Sequence, residues 1–295
     1  MLSKLVKVQK RKMRNDFAVF ILSHGRAYNV LTVRALAQYG YTGKWYIIID
    51  NEDDQADIYY QNYGKDHVIM FDKEEAGKTF DIMDNFSGRG VPTFARNVVY
   101  DIARKLNLKY FLEADDDLIR FRHRYLDEKG KLCTKYIMDL DSVIQSYLEY
   151  MDNTSITVLA FAQTGDLIGG KDSKMYSDSY RRKAMQAFFV RVSDQIEYVG
   201  RFNDDVNAYI DHGKRGKLFL TFRDIVTDTE ATQARSGGIL QMYLTYGTYV
   251  KSFYSVMLCP SSTFIDMMGM NHRRIHHAID WETSVPKIVS GDFKK

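Results

Sequence analysis

The chain has 295 residues, 45% hydrophobic and 27% charged with three prolines, which excludes a fibrous or disordered protein and leaves one large α/β domain or two small ones. A net charge of +3 is too small to argue for a nucleic-acid partner by itself, and Cys133 and Cys259 have neither a disulfide nor a zinc spacing, which fits a reducing cytoplasm. No apolar run approaches the roughly 18 residues of a membrane span, and MLSKLVKVQKRKMR lacks the apolar core of a signal peptide, reading instead as a solvated basic tail or a phosphate-binding arm.

The apolar run 17–22 in DFAVFILSHGR predicts a buried strand ending in a loop, and VLTVRALAQYG a helix closed by Gly40. KWYIIID predicts a second strand, 53–63 a helix and HVIMF a third strand. Strand, helix, strand, helix, strand is the opening of a doubly wound α/β domain with a parallel sheet. After FSGRGVP, Thr93 is placed to cap a helix whose apolar positions Val98, Val99, Ile102, Ala103 and Leu106 recur at helical spacing. The strand YFLEA then runs into Asp115, Asp116 and Asp117, beyond the carboxyl end of a strand, where such sheets bind ligands.

Downstream, LDSVIQSYLEYMD reads as a helix, SITVLAFA, AMQAFFVRV and LFLTF as strands, and ILQMYLTYGTYVKSF as one long helix after the polar segment TDTEATQARSGG. Basic residues cluster in RFRHR at 120–124, RRK at 181–183, KRGK at 214–217 and RRIHH at 273–277. Each is expected in a solvated loop, and together they suit one basic surface.

On an extended backbone alternate side chains share a face, so Asp115 and Asp117 point together and Asp116 away. Two carboxylates one residue apart suit a hard divalent cation, with water and substrate oxygens completing the shell. Against this stands the reading of an acidic triplet as a solvated turn.

FILSHGRAYNVLTVRAL, RGVPTFARNVVYDIA, EADDDLIRF, FNDDVNAYI, the SGG of QARSGG and RRIHHAIDWETSVPKI, in this order over residues 17–288, resemble the GT-A class of nucleotide-sugar glycosyltransferases. More narrowly, the chain is similar to the phage TET-associated glycosyltransferases, which modify hydroxymethylated pyrimidines in phage DNA. The resemblance implies a single Rossmann-like α/β domain over residues 1–295, with a mixed, mainly parallel sheet flanked by helices. Its halves would be 15–118 for the nucleotide sugar and 119–295 for the acceptor. It implies a nucleotide-sugar donor, a UDP-sugar first, Mn²⁺ or Mg²⁺ as cofactor, DNA as partner, no membrane, and the cytoplasm of an infected bacterial host.

By the same resemblance Asp117, and with it Asp115, would hold the metal, and Asp115 would also serve the donor. A histidine of the group His272, His276 and His277 would complete the metal's ligands, His272 and His276 lying on one face if the segment is helical. The loop from Ser23 through Gly25 to Arg26 would meet uridine or phosphate through backbone N–H groups and a basic side chain, and Asp50 the base or ribose. Arg96 and Asn97 match the family's Arg-Asn pair, with Arg96 directed to the donor sugar or diphosphate. Asp205 or Asp204 would deprotonate an acceptor hydroxyl in an inverting reaction, Asp205 being preferred because adjacent side chains do not both face one site. A surface glycan is the alternative acceptor, and a non-catalytic nucleic-acid-binding protein the alternative outside enzymes.

Overall fold

The computed structural model describes residues 12–164, 183–230, 239–269 and 273–284. In chain order the first half contains β1 (Phe17–Leu22), α1 (Leu31–Gln38), β2 (Lys44–Asp50), α2 (Ala56–Tyr63), β3 (Val68–Phe71), α3 (Lys73–Gly77), α4 (Thr93–Lys105) and β4 (Tyr110–Asp115). The second half contains β5 (Leu118–Leu126), β6 (Leu132–Tyr136), α5 (Leu140–Asp152), β7 (Val158–Gln163), β8 (Ala187–Arg191) and α6 (Asp204–Lys214). It continues through β9 (Phe219–Thr229), α7 (Leu240–Tyr246), α8 (Lys251–Leu258), β10 (Thr263–Met268) and β11 (Arg274–Ile279).

Nine of these strands form one sheet in the order β3, β2, β1, β4, β8, β7, β9, β5, β6, and β10 and β11 form a separate antiparallel pair. From β3 to β4 every pairing is parallel. Beyond β4 the pairings are antiparallel except β7 with β9. The mixed α/β architecture expected from the resemblance is the one observed.

The parallel half is buried on both faces, so its strands read as unbroken apolar runs. Along β1, Ala18, Phe20 and Leu22 join a core that also holds Tyr100 of α4 and Tyr209 of α6. Phe17, Val19 and Ile21 join the opposite core, with Leu36 of α1 and Leu148 of α5. Each fully buried side chain of this kind contributes about 1.5–3 kcal/mol relative to exposure. Gly40 follows α1 at φ +81°, and a Cβ there would lie 2.9 Å from the Met138 carbonyl oxygen, so this turn requires glycine.

Several sequence expectations change. Thr93 is the first residue of α4 rather than its cap, because its hydroxyl donates 2.9 Å to the Gly200 carbonyl and ties α4 to the loop before α6. RFRHR lies in β5 and not in a loop, its backbone paired on both sides by β6 and β9. Thr227, Asp228 and Thr229 end β9 instead of opening a polar segment. The expected long helix breaks at Gly247, φ +89°, into α7, a 3₁₀ turn and α8. Among the described residues, no helix is long and apolar enough to cross a membrane. The N-terminal basic segment to Arg11, the SGG at 236–238, His272 and most of RRK lie outside the described residues.

Candidate active site

Parallel strands deliver their carboxyl ends to one edge of the sheet. Leu22 of β1 is level with Asp115 of β4, and Asp50 of β2 with Phe71 of β3. A cleft of about 280 Å³ opens over these ends, floored by Leu22, Ile48 and Phe71 and walled by α4, by the aspartates and by Tyr243 of α7.

The β1–α1 loop is fastened at nearly every polar group. Ser23 N–H donates to the Ile48 carbonyl at 3.1 Å, Gly25 N–H to Asp53 Oδ2 at 2.8 Å, and Arg26 N–H to the Tyr59 hydroxyl at 2.9 Å. These donors are committed inside the protein, contrary to the expectation that they meet a phosphate, and Gly25 does not line the cleft. Ser23 Oγ donates 2.6 Å to Asp116 Oδ2, and Arg26 reaches Asp116 Oδ1 at 2.5 Å. Asp116 is therefore the latch between this loop and the aspartate turn. Thr32 of α1 completes the fastening, its hydroxyl donating to the Asp115 carbonyl at 2.6 Å and accepting from Leu118 N–H at 3.0 Å.

The latch leaves Asp115 and Asp117 for the cleft. Asp117 Oδ1 is buried without a hydrogen-bond partner. Burial, with Asp116 beside it, pushes the Asp117 carboxyl up to about 6. Asp115 is also raised, by burial first and then by the charges of Asp117 and Asp116, which Arg96 only partly opposes. An unpartnered carboxylate oxygen beside a second carboxylate suits a hard divalent cation such as Mn²⁺ or Mg²⁺. Among the described residues no three His, Cys, Asp or Glu side chains converge on a metal by themselves.

Arg96, 4% exposed, stands at the cleft's inner wall. Its Nε lies 3.1 Å from Asp204 Oδ2, Nη1 3.2 Å from Glu113 Oε1 and Nη2 3.7 Å from Asp115 Oδ1, while its plane packs over Phe188 and Tyr198. Three carboxylates and two rings hold it, so its first task is to make this acidic cluster possible. Burial pushes Glu113 up to about 8 and Asp204 up to about 6 against that pairing. Asn97 turns away from the cleft, bonding Tyr198 N–H at 2.9 Å and the Tyr198 carbonyl at 2.8 Å.

Asp50 accepts from His24 Nδ1 at 2.8 Å and from Lys73 Nζ at 3.0 Å. Burial works against its charge, but these two partners prevail and hold its carboxyl below the usual range; the same bond raises His24. Asp204 opens α6 after Asn203, which occupies the cap position at φ +55°. Asp205 is half-buried and close enough to Asp115 and Tyr243 to act on their ionisation. Residue 272 lies outside the described residues, and His276 lies in β11, a strand and not a helix. Its Nδ1 donates 2.6 Å to the His277 carbonyl, and it does not line the cleft. His277 Nδ1 accepts from the Asn203 amide at 3.1 Å.

Over residues 17–238 the chain matches the TET-Associated Glycosyltransferase family. The chain belongs to this family. It is a glycosyltransferase, and the non-catalytic alternative falls with that membership. Its fold is similar to glucosyl-3-phosphoglycerate synthase from Mycobacterium tuberculosis in complex with Mg²⁺ and UDP, 10% identical over 90% of this chain and 88% of that one, TM-score 0.46. It is also similar to S. aureus TarS 1-349 in complex with UDP-GlcNAc, 10% identical over 83% of this chain and 67% of that one, TM-score 0.47. No curated protein matches the chain.

Sequence reasoning missed three residues of this glycosyltransferase's cleft and one behind it. Lys73 and His24 belong to Asp50, Glu113 belongs to Arg96, and Tyr243 forms the outer wall. Lys73 had a signal, a lysine directly after the third strand's acidic end. Glu113, inside an apolar strand, had another, since a buried carboxylate requires a partner.

Proposed function

We propose that this glycosyltransferase moves a sugar from a nucleotide sugar, a UDP-sugar first, to the hydroxyl of a 5-hydroxymethylated pyrimidine in phage DNA, with Mn²⁺ or Mg²⁺ as cofactor. The observation that carries the chemistry is the buried, unpartnered Asp117 Oδ1 at the rim of a cleft over the strand ends. The family's description as TET-associated supports the DNA acceptor. Asp117 and Asp115 would hold the cation. When bound, it supplies Lewis-acid stabilisation of the charge that grows on the leaving diphosphate.

The chain's own residues do the rest. Asp50, oriented by His24 and Lys73, receives the nucleoside. Arg96 keeps Glu113, Asp115 and Asp204 together around one guanidinium. Asp205 takes the acceptor hydroxyl's proton, because Asp204 is committed to Arg96. Residues 15–118 serve chiefly the donor and 119–295 the acceptor, with Tyr243 and Glu230 closing the donor side from the second half. The site of action is the cytoplasm of an infected bacterial host.

The test incubates the protein with a panel of nucleotide sugars, Mn²⁺ and DNA containing hydroxymethylcytosine, then digests the DNA to nucleosides for mass spectrometry. A nucleoside heavier by one sugar is the expected result. Absence of such a product with every donor, alongside transfer to a glycan acceptor, would assign the acceptor elsewhere. Asp117→Asn is expected to lower metal-dependent turnover by about 10²–10³, and unchanged turnover would remove Asp117 from the site.

A further inference from the structure

A second cleft, of about 480 Å³, adjoins the first between β5, β7 and β9. It is lined by Arg120, Arg122, Tyr136 and Asp228, and it shares Gln186 and Thr229 with the donor cleft. The two are joined through backbone. Thr229 pairs with Leu118, directly after Asp117, and Glu230 N–H donates 3.3 Å to the Asp117 carbonyl. The two clefts thus share a wall at Gln186 and Thr229, next to the aspartate turn.

Its charges are arranged unevenly. Asp228 is buried and accepts on Oδ1 from Arg122 Nη2 and from the Thr164 hydroxyl. Arg122 is further held by Thr134 Oγ1 at 3.1 Å, so the Asp228–Arg122 pair is fixed and close to neutral. Arg120 differs. Its side chain is 50% exposed and stays 3.9 Å from Asp228 Oδ2, beyond hydrogen-bond distance, so its guanidinium fork remains available for an anion. Tyr136, 57% exposed, presents its ring at the same cleft. A guanidinium fork beside an exposed ring suits a phosphate attached to a flat base, since stacking tolerates any base and the fork matches phosphate.

Two further features lie near the cleft. Lys129 and Lys131 are exposed at the turn of the β5–β6 ribbon, next to the exposed Glu128, and Lys135 stands on the face opposite Tyr136. At the junction of the two clefts Gln186 is held at φ +63°, a conformation that costs a side-chain-bearing residue energy and that collects at functional sites.

We infer that this second cleft is the acceptor subsite and that it takes one nucleotide, with its phosphate on Arg120 and its base against Tyr136. The inference rests on the DNA-transferase reading above. Arg120, half exposed, keeps the phosphate at the rim, beside the exposed ring of Tyr136.

Fluorescence anisotropy with a labelled short oligonucleotide containing one hydroxymethylcytosine tests it, across a salt series. Arg120→Ala and Tyr136→Ala should each weaken binding about tenfold, and Arg120→Ala should reduce the log–log salt slope by about 1. Lys65→Ala, next to β3 at the opposite edge of the sheet, removes the same charge and should change neither. Thermal melting confirms that each variant is folded. Hydroxymethylated mononucleotide, used as competitor, separates the sources: equal displacement assigns a single nucleotide, displacement by oligonucleotide alone a polymer, and either supports the subsite. Wild-type affinity and slope in both variants would overturn it. Binding that depends on Arg120 and Tyr136 but yields no glycosylated nucleoside with any donor would overturn the DNA-acceptor reading and keep only the nucleotide-binding part of the inference. No DNA binding by the wild type would overturn both.

Discussion

The two clefts that meet at Gln186 and Thr229 are built in opposite ways. In the donor cleft the charged side chains are mostly buried and held by partners inside the protein: Asp50 by His24 and Lys73, Asp116 by Ser23 and Arg26, Arg96 by Glu113 and Asp204. In the acceptor-side cleft the central pair is fixed, but Arg120 and Tyr136 at its rim remain half exposed. Locked charges suit a ligand of constant shape, because no reorganisation is needed when charge develops. Loose rim groups suit a long polyanion, whose binding is dominated by screened phosphate contacts.

The contrast can be broken most severely at Arg96. Arg96→Ala leaves buried carboxylates without their cation and is expected to cost about 3–5 kcal/mol in urea unfolding, whereas Arg120→Ala should stay within about 0.5 kcal/mol of wild type. Equal midpoints for the two would erase the distinction between locked and loose arginines. Next come the two aspartates opening α6. Asp205→Asn should lower kcat by about 10²–10⁴ as a lost base, while Asp204→Asn should act mainly on stability through Arg96; a matching fall in kcat for both would mean that neither is the sole base.

Smaller effects sharpen the boundary itself. At position 186 the left-handed backbone predicts that Gln186→Gly is more stable than Gln186→Ala by about 1 kcal/mol, and the reverse order in thermal melts would remove the strain. A further effect concerns pH. Burial first, then the charges of His276 and Lys251, hold His277 down from 6.5 to about 4. Between those values the unfolded chain binds the extra proton, so His277 contributes stability above about pH 6.5 that is lost as pH falls through 4. His277→Asn should flatten the change in urea midpoint between acidic and neutral pH, and an unchanged slope would show that another group titrates there.

How much was legible in the residues follows from the same contrast. The parallel half announced itself, because strands buried on both faces are continuous apolar runs punctuated by helical periods. β5 did not, because RFRHR alternates charge with aromatic residues at a sheet margin and carries too little apolar signal to separate from a basic loop. The break at Gly247 was hidden by apolar periodicity continuing on both sides of it. The roles in the donor cleft were divided similarly. Asp115 and Asp117 stood out as a spaced pair, yet the latch on Asp116 depends on Ser23 and Arg26, 93 and 90 residues earlier in the chain. His276 was read as part of a helix, but it lies in the strand Arg274–Ile279, whose pairing with β10 the local spacing does not reveal.

By itself, the sequence determined the α/β class, the position of the aspartates beyond a buried strand and the resemblance to a glycosyltransferase family, all carried by local patterns of apolar period and residue type. Only the tertiary structure decided which aspartate is locked and which carries an unpartnered oxygen, that Arg96 is bound by three carboxylates, and that β9 brings Arg120 and Asp228 beside the donor cleft. Those outcomes depend on pairings between residues distant in the chain, and a buried charge takes its properties from the partners that the fold supplies.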